Sequence, residues 1–327
     1  MLRVVPEVRV EIDDRDRLRY RAMAPTGSWA GVFPVLCTPF AGDGAVDVDA
    51  QRAVVRFALA CGVHGLVCFG LGAEVNKLTP DERRRLTDVI VEEADGRVPV
   101  LVGAGAESTR IALELAGHAQ AAGADGVVLP PPFTAGVHGD ELAGFFRAVA
   151  GAVDLPVMLQ DASVYLGSAL SPALVRRLSE EQANIRYIKI EAGAEETARW
   201  VEGVGPDVGV FTGDAGVHLL QCLRAGAVGN IPAVELADRL VAVYEAEARG
   251  DEAESDTRFR PLLPYLVFAL QGGIDHCNAA TKATLVRRGV LARGGLRHPA
   301  PDFGALFDQL VDALAAALEL VASPVAR

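Results

Sequence analysis

Eight short apolar runs, each followed by a longer stretch of helical periodicity, constrain what this chain can fold into more than any other feature. They lie over residues 31–40, 65–70, 99–105, 126–132, 156–161, 187–191, 208–214 and 226–232. Strands separated by whole helices cannot pair as hairpins, so they pair in parallel through crossovers and build βαβ units. One device recurs along the series: Gly62-Val63-His64-Gly65, Gly123-Ala124-Asp125-Gly126 and Gly226-Ala227-Val228-Gly229 each close a helix and open a strand. The first glycine of each suits a left-handed helix cap. Eight such units predict an α/β fold of the closed (β/α)8 TIM-barrel type over residues 29–233. An open doubly wound sheet would call for a GxGxxG turn after the first strand, and none follows Phe40. The partial match at 103–108 comes only after the third strand, so dinucleotide binding is not expected. Residues 234–327 read as a C-terminal helical region with helices over 234–249, 252–271, 276–288 and 303–322, and residues 1–28 as an N-terminal extension.

Composition narrows the function classes. A net charge of −12 without a basic stripe disfavours nucleic acid as a partner. No apolar stretch reaches the roughly 18 residues of a membrane span. Residues 1–28 mix Arg, Asp and Glu without a continuous apolar region, so neither a secretory signal nor a transit peptide is read there and a cytoplasmic location is expected. Cys37, Cys61, Cys68, Cys222 and Cys277 show no CxxC spacing, which points away from a disulfide framework or a metal site. Small-molecule chemistry without a cofactor is the expectation.

Three lysines stand among 28 arginines, and one of them, Lys189, lies inside the apolar run at the sixth strand. Lysine, unlike arginine, can lose its proton and attack a carbonyl, so Lys189 is a candidate Schiff-base nucleophile; the alternative is a lysine whose stem packs while its ammonium reaches water. Strand alternation puts Tyr187, Lys189 and Glu191 on one face. Glu191 can shuttle a proton or simply pair with the ammonium.

Four stretches resemble the pyruvate-dependent class I aldolases and lyases grouped around dihydrodipicolinate synthase and N-acetylneuraminate lyase. Gly70-Leu71-Gly72-Ala73-Glu74 with Leu78-Thr79-Pro80-Asp81-Glu82 is similar to the GxxGE loop of that family and the helix start behind it, with Ala73 at the second glycine. The runs 99–105 and 123–131 resemble its third and fourth strands, Tyr187-Ile188-Lys189 its lysine-bearing strand, and Gly213-Asp214 with 225–231 its last two strands. The resemblance implies that Lys189 forms an imine with pyruvate or another 2-oxo acid, and that backbone N–H groups at Leu71 and Gly72 hold the substrate carboxylate. It implies a substrate surface made by Gly70, Leu71, Gly72, Pro132, Phe133, Tyr165, Gly213 and Ile231. A homo-oligomer, tetramer or dimer, is implied as well.

The proton-transfer residues of that family are absent. Leu71-Gly72 stands where members usually carry Thr-Thr, and Pro132 or Phe133 where a Tyr follows the fourth strand; no tyrosine lies between Tyr20 and Tyr165. After the fifth strand the usual Tyr-Asn-x-Pro-x-x-Thr-Gly pattern reads Gln160-Asp161-Ala162-Ser163-Val164-Tyr165-Leu166-Gly167, with Tyr165 where dihydrodipicolinate synthase has its carboxylate-binding arginine. A role in lysine biosynthesis is therefore not expected. Asp161 and Glu191 are the favoured replacements for the relay, with Tyr165 and His138 as further titratable candidates. For each carboxylate a purely structural role stays open, and Asp214 reads as a cap of the seventh strand–helix turn. Two functions follow: a Schiff-base lyase, aldolase or dehydratase, or a relative that binds a small oxo acid without turning it over.

Overall fold

In the computed structural model, residues 29–133, 136–165 and 168–320 are described. The extension expected over 1–28, and Leu166-Gly167 of the loop pattern, lie outside them. The strands are β1 (Gly31–Val32), β2 (Leu66–Cys68), β3 (Val100–Gly103), β4 (Gly126–Leu129), β5 (Val157–Asp161), β6 (Ile185–Ile190), β7 (Gly209–Thr212) and β8 (Gly229–Asn230). Between them run α1 (Val48–Ala60), α2 (Pro80–Ala94), α3 (Thr109–Ala121), α4 (Gly139–Ala150), α5 (Pro172–Glu181), α6 (Ala194–Val204) and α7 (Leu219–Arg224). All ladders are parallel, in the order β1-β8-β7-β6-β5-β4-β3-β2. The two ends of that series meet: Leu36 N–H donates to the Val67 carbonyl at 2.8 Å and Val67 N–H to that of Pro34 at 3.0 Å. The sheet is thereby closed into a (β/α)8 barrel.

The regular ladder of β1 is shorter than the expected run over 31–40 because Pro34 has no N–H to give. Past it, single bridges join Val35 to Val67 and to Ala233. The helix starts follow local chemistry. Thr79 and Glu82 form a reciprocal capping box with Pro80 in the first turn of α2, and Asp47, Ser108 and Ser171 cap α1, α3 and α5 by accepting a first-turn N–H. Gly62, Gly123 and Gly226 have φ of +75°, +86° and +100°, the left-handed turn that their repeat implied.

Two apolar layers hold the barrel. The outer one packs helices on strands; the inner one is Phe33, Val35, Val67, Ala73, Leu101, Val128, Met158, Tyr187, Phe211 and Ile231. At the amino-terminal end Trp29 stacks on Tyr187 with ring centroids 4.8 Å apart, and its backbone N–H donates to the Tyr187 hydroxyl at 2.8 Å. Gly65 is needed beside this floor, since a Cβ there would stand 2.0 Å from the ring of Phe33. Burial of each large inner side chain contributes about 1.5–3 kcal/mol. A filled interior leaves the opposite, carboxyl-end mouth as the place for chemistry.

Beyond the barrel come α8 (Ala237–Ala248), α9 (Glu252–Phe259), α10 (Leu263–Gln271), α11 (Gly273–Arg287) and α12 (Gly304–Ala317). The single helix expected over 252–271 is split by a 3-10 turn at Arg260–Leu262. Pro261 and Pro264 remove two of the backbone donors a continuous helix would use. No helix among the described residues is long and apolar enough to cross a membrane.

Candidate active site

Alternation along the strands carries the inner layer up to the mouth. Met158 pairs in register with Tyr187, and the next inward step pairs Gln160 with Lys189, which in turn pairs with Phe211. Lys189 is 7 % exposed, and its Nζ lies 2.6 Å from Oε1 of Glu191, whose side chain is also buried. The other oxygen of Glu191 accepts the backbone N–H of Asp214 at 2.5 Å. Gly213 makes this possible: a Cβ there would stand 2.0 Å from Glu191 Oε2. The carboxylate therefore occupies the space that any side chain at 213 would need.

Asp214 extends the array. Its carboxyl lies beside Glu191 and the hydroxyl of Tyr165, and burial, together with the charge of Glu191, pushes it up to about 6 against the opposing pull of Lys189. Burial and the carboxylates of Glu191 and Asp214 push the Tyr165 hydroxyl up as well. The chain of contacts runs Lys189, Glu191, Asp214, Tyr165, with one amine, two carboxyls and one phenol in sequence.

Asp161 does not join that array. It pairs in register with Ile190, so it leaves β5 on the face opposite Gln160, and its carboxylate accepts from Ser163 N–H at 3.1 Å and Leu170 N–H at 3.5 Å. Burial raises it from its ordinary value. Its partners belong to its own loop. His138 is exposed at the start of α4.

On the other side of the mouth, Leu71–Ala73 forms one 3-10 turn after Gly70, and the first N–H groups of such a turn have no carbonyl of the helix before them. Pro132 is buried; Phe133 is half-buried and its N–H donates to Glu107 at 3.1 Å. Ile231 is 2 % exposed within the inner layer, lower than a freely accessible lining residue would be. Four non-glycine residues around the mouth, Phe69, Glu74, Asp214 and Ala215, have φ between +49° and +61°. Left-handed backbone of this kind stores strain that surrounding contacts must hold. Among the described residues no group of three or more His, Cys, Asp or Glu is arranged to hold a metal ion.

Sequence reading missed two members of this constellation. Gln160 could have been found by extending to β5 the alternation applied to β6, given the register between them. Asp214 gave no such signal, because its contact with Glu191 depends on a turn in which residues 214, 215 and 216 all have positive φ.

Fold and mouth together define a barrel with one buried amine set against a carboxylate at the carboxyl end of its sixth strand. The chain belongs to the dihydrodipicolinate synthetase family, whose sequence profile matches residues 28–306. It is 33 % identical over 279 residues to an L-2-keto-3-deoxyarabonate dehydratase of Azospirillum brasilense, covering 83 % of this chain and 89 % of that protein. It is 36 % identical over 250 residues to a probable 2-dehydro-3-deoxy-D-pentonate aldolase of Escherichia coli K12, covering 74 % and 83 %. Among solved structures, YagE of Escherichia coli K12 in complex with pyruvate superposes with a TM-score of 0.82 at 28 % identity, over 89 % of this chain and 99 % of that one. Its relatives thus include aldolases and dehydratases named for keto-deoxy sugar acids.

Proposed function

We propose that the chain is a class I lyase that cleaves or dehydrates a 2-keto-3-deoxy sugar acid through an imine on Lys189. The observation that carries this reading is the Lys189–Glu191 contact at 2.6 Å in the barrel mouth, continued to Asp214. In the proposed sequence Glu191 takes a proton from the ammonium, and the neutral Nζ attacks the C2 ketone. The resulting carbinolamine loses its hydroxyl as water, with the proton supplied through Asp214, and leaves the iminium. Its nitrogen then draws the electrons of the bond being broken at C3: a C3–C4 bond in aldol cleavage, with the C4 hydroxyl proton going to the carboxylate array, or a C3–H bond in dehydration, with the C3 proton going to the carboxylate array and returned to the C4 hydroxyl as it leaves as water.

The distal part of the substrate follows from charge. Glu191 and Asp214 face Lys189 with Tyr165 beside them, and among the described residues no arginine joins that array. A second substrate carboxylate would meet like charge there, whereas hydroxyl groups can donate to the carboxylates. The names of the relatives run the same way. A substitute acid–base array also supports turnover over mere binding, the alternative that the loss of the usual Thr and Tyr raises. Backbone N–H groups at Leu71 and Gly72 are proposed to hold the C1 carboxylate.

Intact mass after incubation with pyruvate and borohydride tests the reading. Wild type is expected to gain a reduced pyruvate adduct, and Lys189→Ala and Lys189→Arg to gain none. A Lys189→Arg protein that still binds pyruvate while wild type forms no adduct, even with longer 2-oxo acids, would put the binding-protein reading in its place.

A further inference from the structure

The two lysines not used in the proposed chemistry lie together beside the 70–77 turn. Lys282, on α11, is 1 % exposed, and its Nζ donates to Oε1 of Glu74 at 2.5 Å and to the Gly295 carbonyl at 3.1 Å, 4.3 Å from the centroid of the Phe40 ring. Glu74 is itself 1 % exposed with φ +53°, and its Oε2 accepts Lys77 Nζ at 3.1 Å and Arg297 N–H at 3.0 Å. Lys77 also pairs with Asp275 of α11 at 3.1 Å. Two carboxylates thus meet two ammoniums, so the cluster is neutral in a place where an unpaired charge would be costly.

The same face of α11 reaches the turn directly. Asn278 Nδ2 donates to the Leu71 carbonyl at 3.2 Å. Its Oδ1 is buried without a partner, 3.9 Å from where a Cβ on Gly72 would stand. A flipped amide would aim that acceptor at the Leu71 carbonyl, so the observed orientation is the one the turn permits. From the barrel side Thr38 Oγ1 donates to the Ala73 carbonyl at 2.8 Å.

We infer that Lys282, Glu74 and Asn278 are positioning residues that aim the Leu71 and Gly72 N–H groups, making α11 part of the substrate-carboxylate site although it lies far along the chain. The inference rests on the proposed function for what those N–H groups bind, and on the contacts above for what holds them. The bonds join residues 207 and 208 positions apart, from α11 to the turn. The turn itself has two short 3-10 segments and a left-handed residue between them. Its own backbone bonds, such as Ala73 N–H to Gly70 at 2.9 Å and Lys77 N–H to Glu74 at 2.8 Å, are confined to each short segment, whereas Asp275, Asn278 and Lys282 of α11 and the backbone N–H of Arg297 after it grip the turn at both ends.

The test combines two readouts on wild type, Lys282→Met and Asn278→Ala. The second variant removes a neutral contact and leaves no buried charge unpaired, so it keeps the question answerable if the first unfolds. Hydrogen exchange across 70–77 is expected to accelerate in both variants while β6 and β7 stay protected. In borohydride trapping, the pyruvate concentration at half-maximal rate is expected to rise about tenfold with the maximal rate nearly unchanged, as for a misaimed binding group. Folded variants whose exchange across 70–77 matches wild type overturn the inference whatever the chemistry. If exchange accelerates but wild type traps no oxo acid, the proposed function fails and the positioning role of these residues on the turn stands.

Discussion

Replacing Gly213 by alanine displaces Glu191 without touching its chemistry. The new methyl would stand 2.0 Å from Oε2, 2.6 Å from Cδ and 2.7 Å from Oε1 of that carboxylate. Carbon and oxygen that merely touch sit about 3.3 Å apart, so the carboxylate has to retreat by about 1.3 Å. It has no slack for this: one oxygen is 2.6 Å from Lys189 and the other accepts Asp214 N–H at 2.5 Å. A displacement of about 1 Å in a reacting group costs roughly 10²-fold in rate, which is about 2.7 kcal/mol of barrier. Overpacking adds about 1–3 kcal/mol of destabilisation, visible in Tm and separable from the chemistry. The assay is single-turnover borohydride trapping at saturating pyruvate, with the Tm of each protein measured alongside. A folded Gly213→Ala protein that traps pyruvate within about threefold of the wild-type rate, against the 10²-fold expected from misplacement, refutes the assignment of Glu191 as the proton acceptor of Lys189.

Asp214→Asn should separate activity from stability. A carboxyl raised from 3.8 to about 6 by folding costs stability once ionised; the cost is absent below the unfolded value and complete above the folded one. A two-unit shift is worth about 3 kcal/mol, and partial exposure reduces that to about 1–2 kcal/mol. The variant should therefore melt higher than wild type at pH 8 and show no such gain at pH 3.5, while its trapping rate falls about 10²-fold. A variant that melts no higher at pH 8 contradicts the burial argument. Asp161→Asn keeps an acceptor for the Ser163 and Leu170 amides, so a loss under about 1 kcal/mol in stability and a near-normal rate are expected; a large rate loss would return Asp161 to the relay.

The fold was legible because its eight units repeat the same apolar run and helix, three of them joined by the same glycine turn, and because local chemistry fixes ends such as the Thr79–Glu82 box. Its departures are equally local: Pro34 shortens the first ladder and Pro261 splits a helix. The site was legible where one strand sufficed, as with Lys189 and Glu191, which alternation alone puts on one face. It was not legible where two strands must be compared. From β5 alone, Gln160 and Asp161 are equal candidates; only the register with β6 turns Gln160 toward Lys189 and Asp161 toward its loop. Asp214 and the Asn278–Leu71 bond needed backbone turns and contacts across most of the chain, which no local pattern encodes.

The scarcity of lysine then has a structural reading. The chain answers its need for surface charge with arginine, as in the pairs Arg52–Glu92, Arg147–Glu181 and Arg287–Asp312. Each of its three lysines is instead paired with a carboxylate and has a side chain no more than 9 % exposed. Arginine presents a planar fork that stays charged and needs room for five donors; an ammonium is compact and can lose its proton. Lys282 needs the compactness, held between Glu74, the Gly295 carbonyl and the Phe40 ring. On the proposed mechanism Lys189 needs the proton loss. Because both requirements fall at the carboxyl end of one barrel, a substitution such as Lys282→Arg is not conservative here. It would press a larger cation against Glu74 and move the turn that carries Leu71 and Gly72.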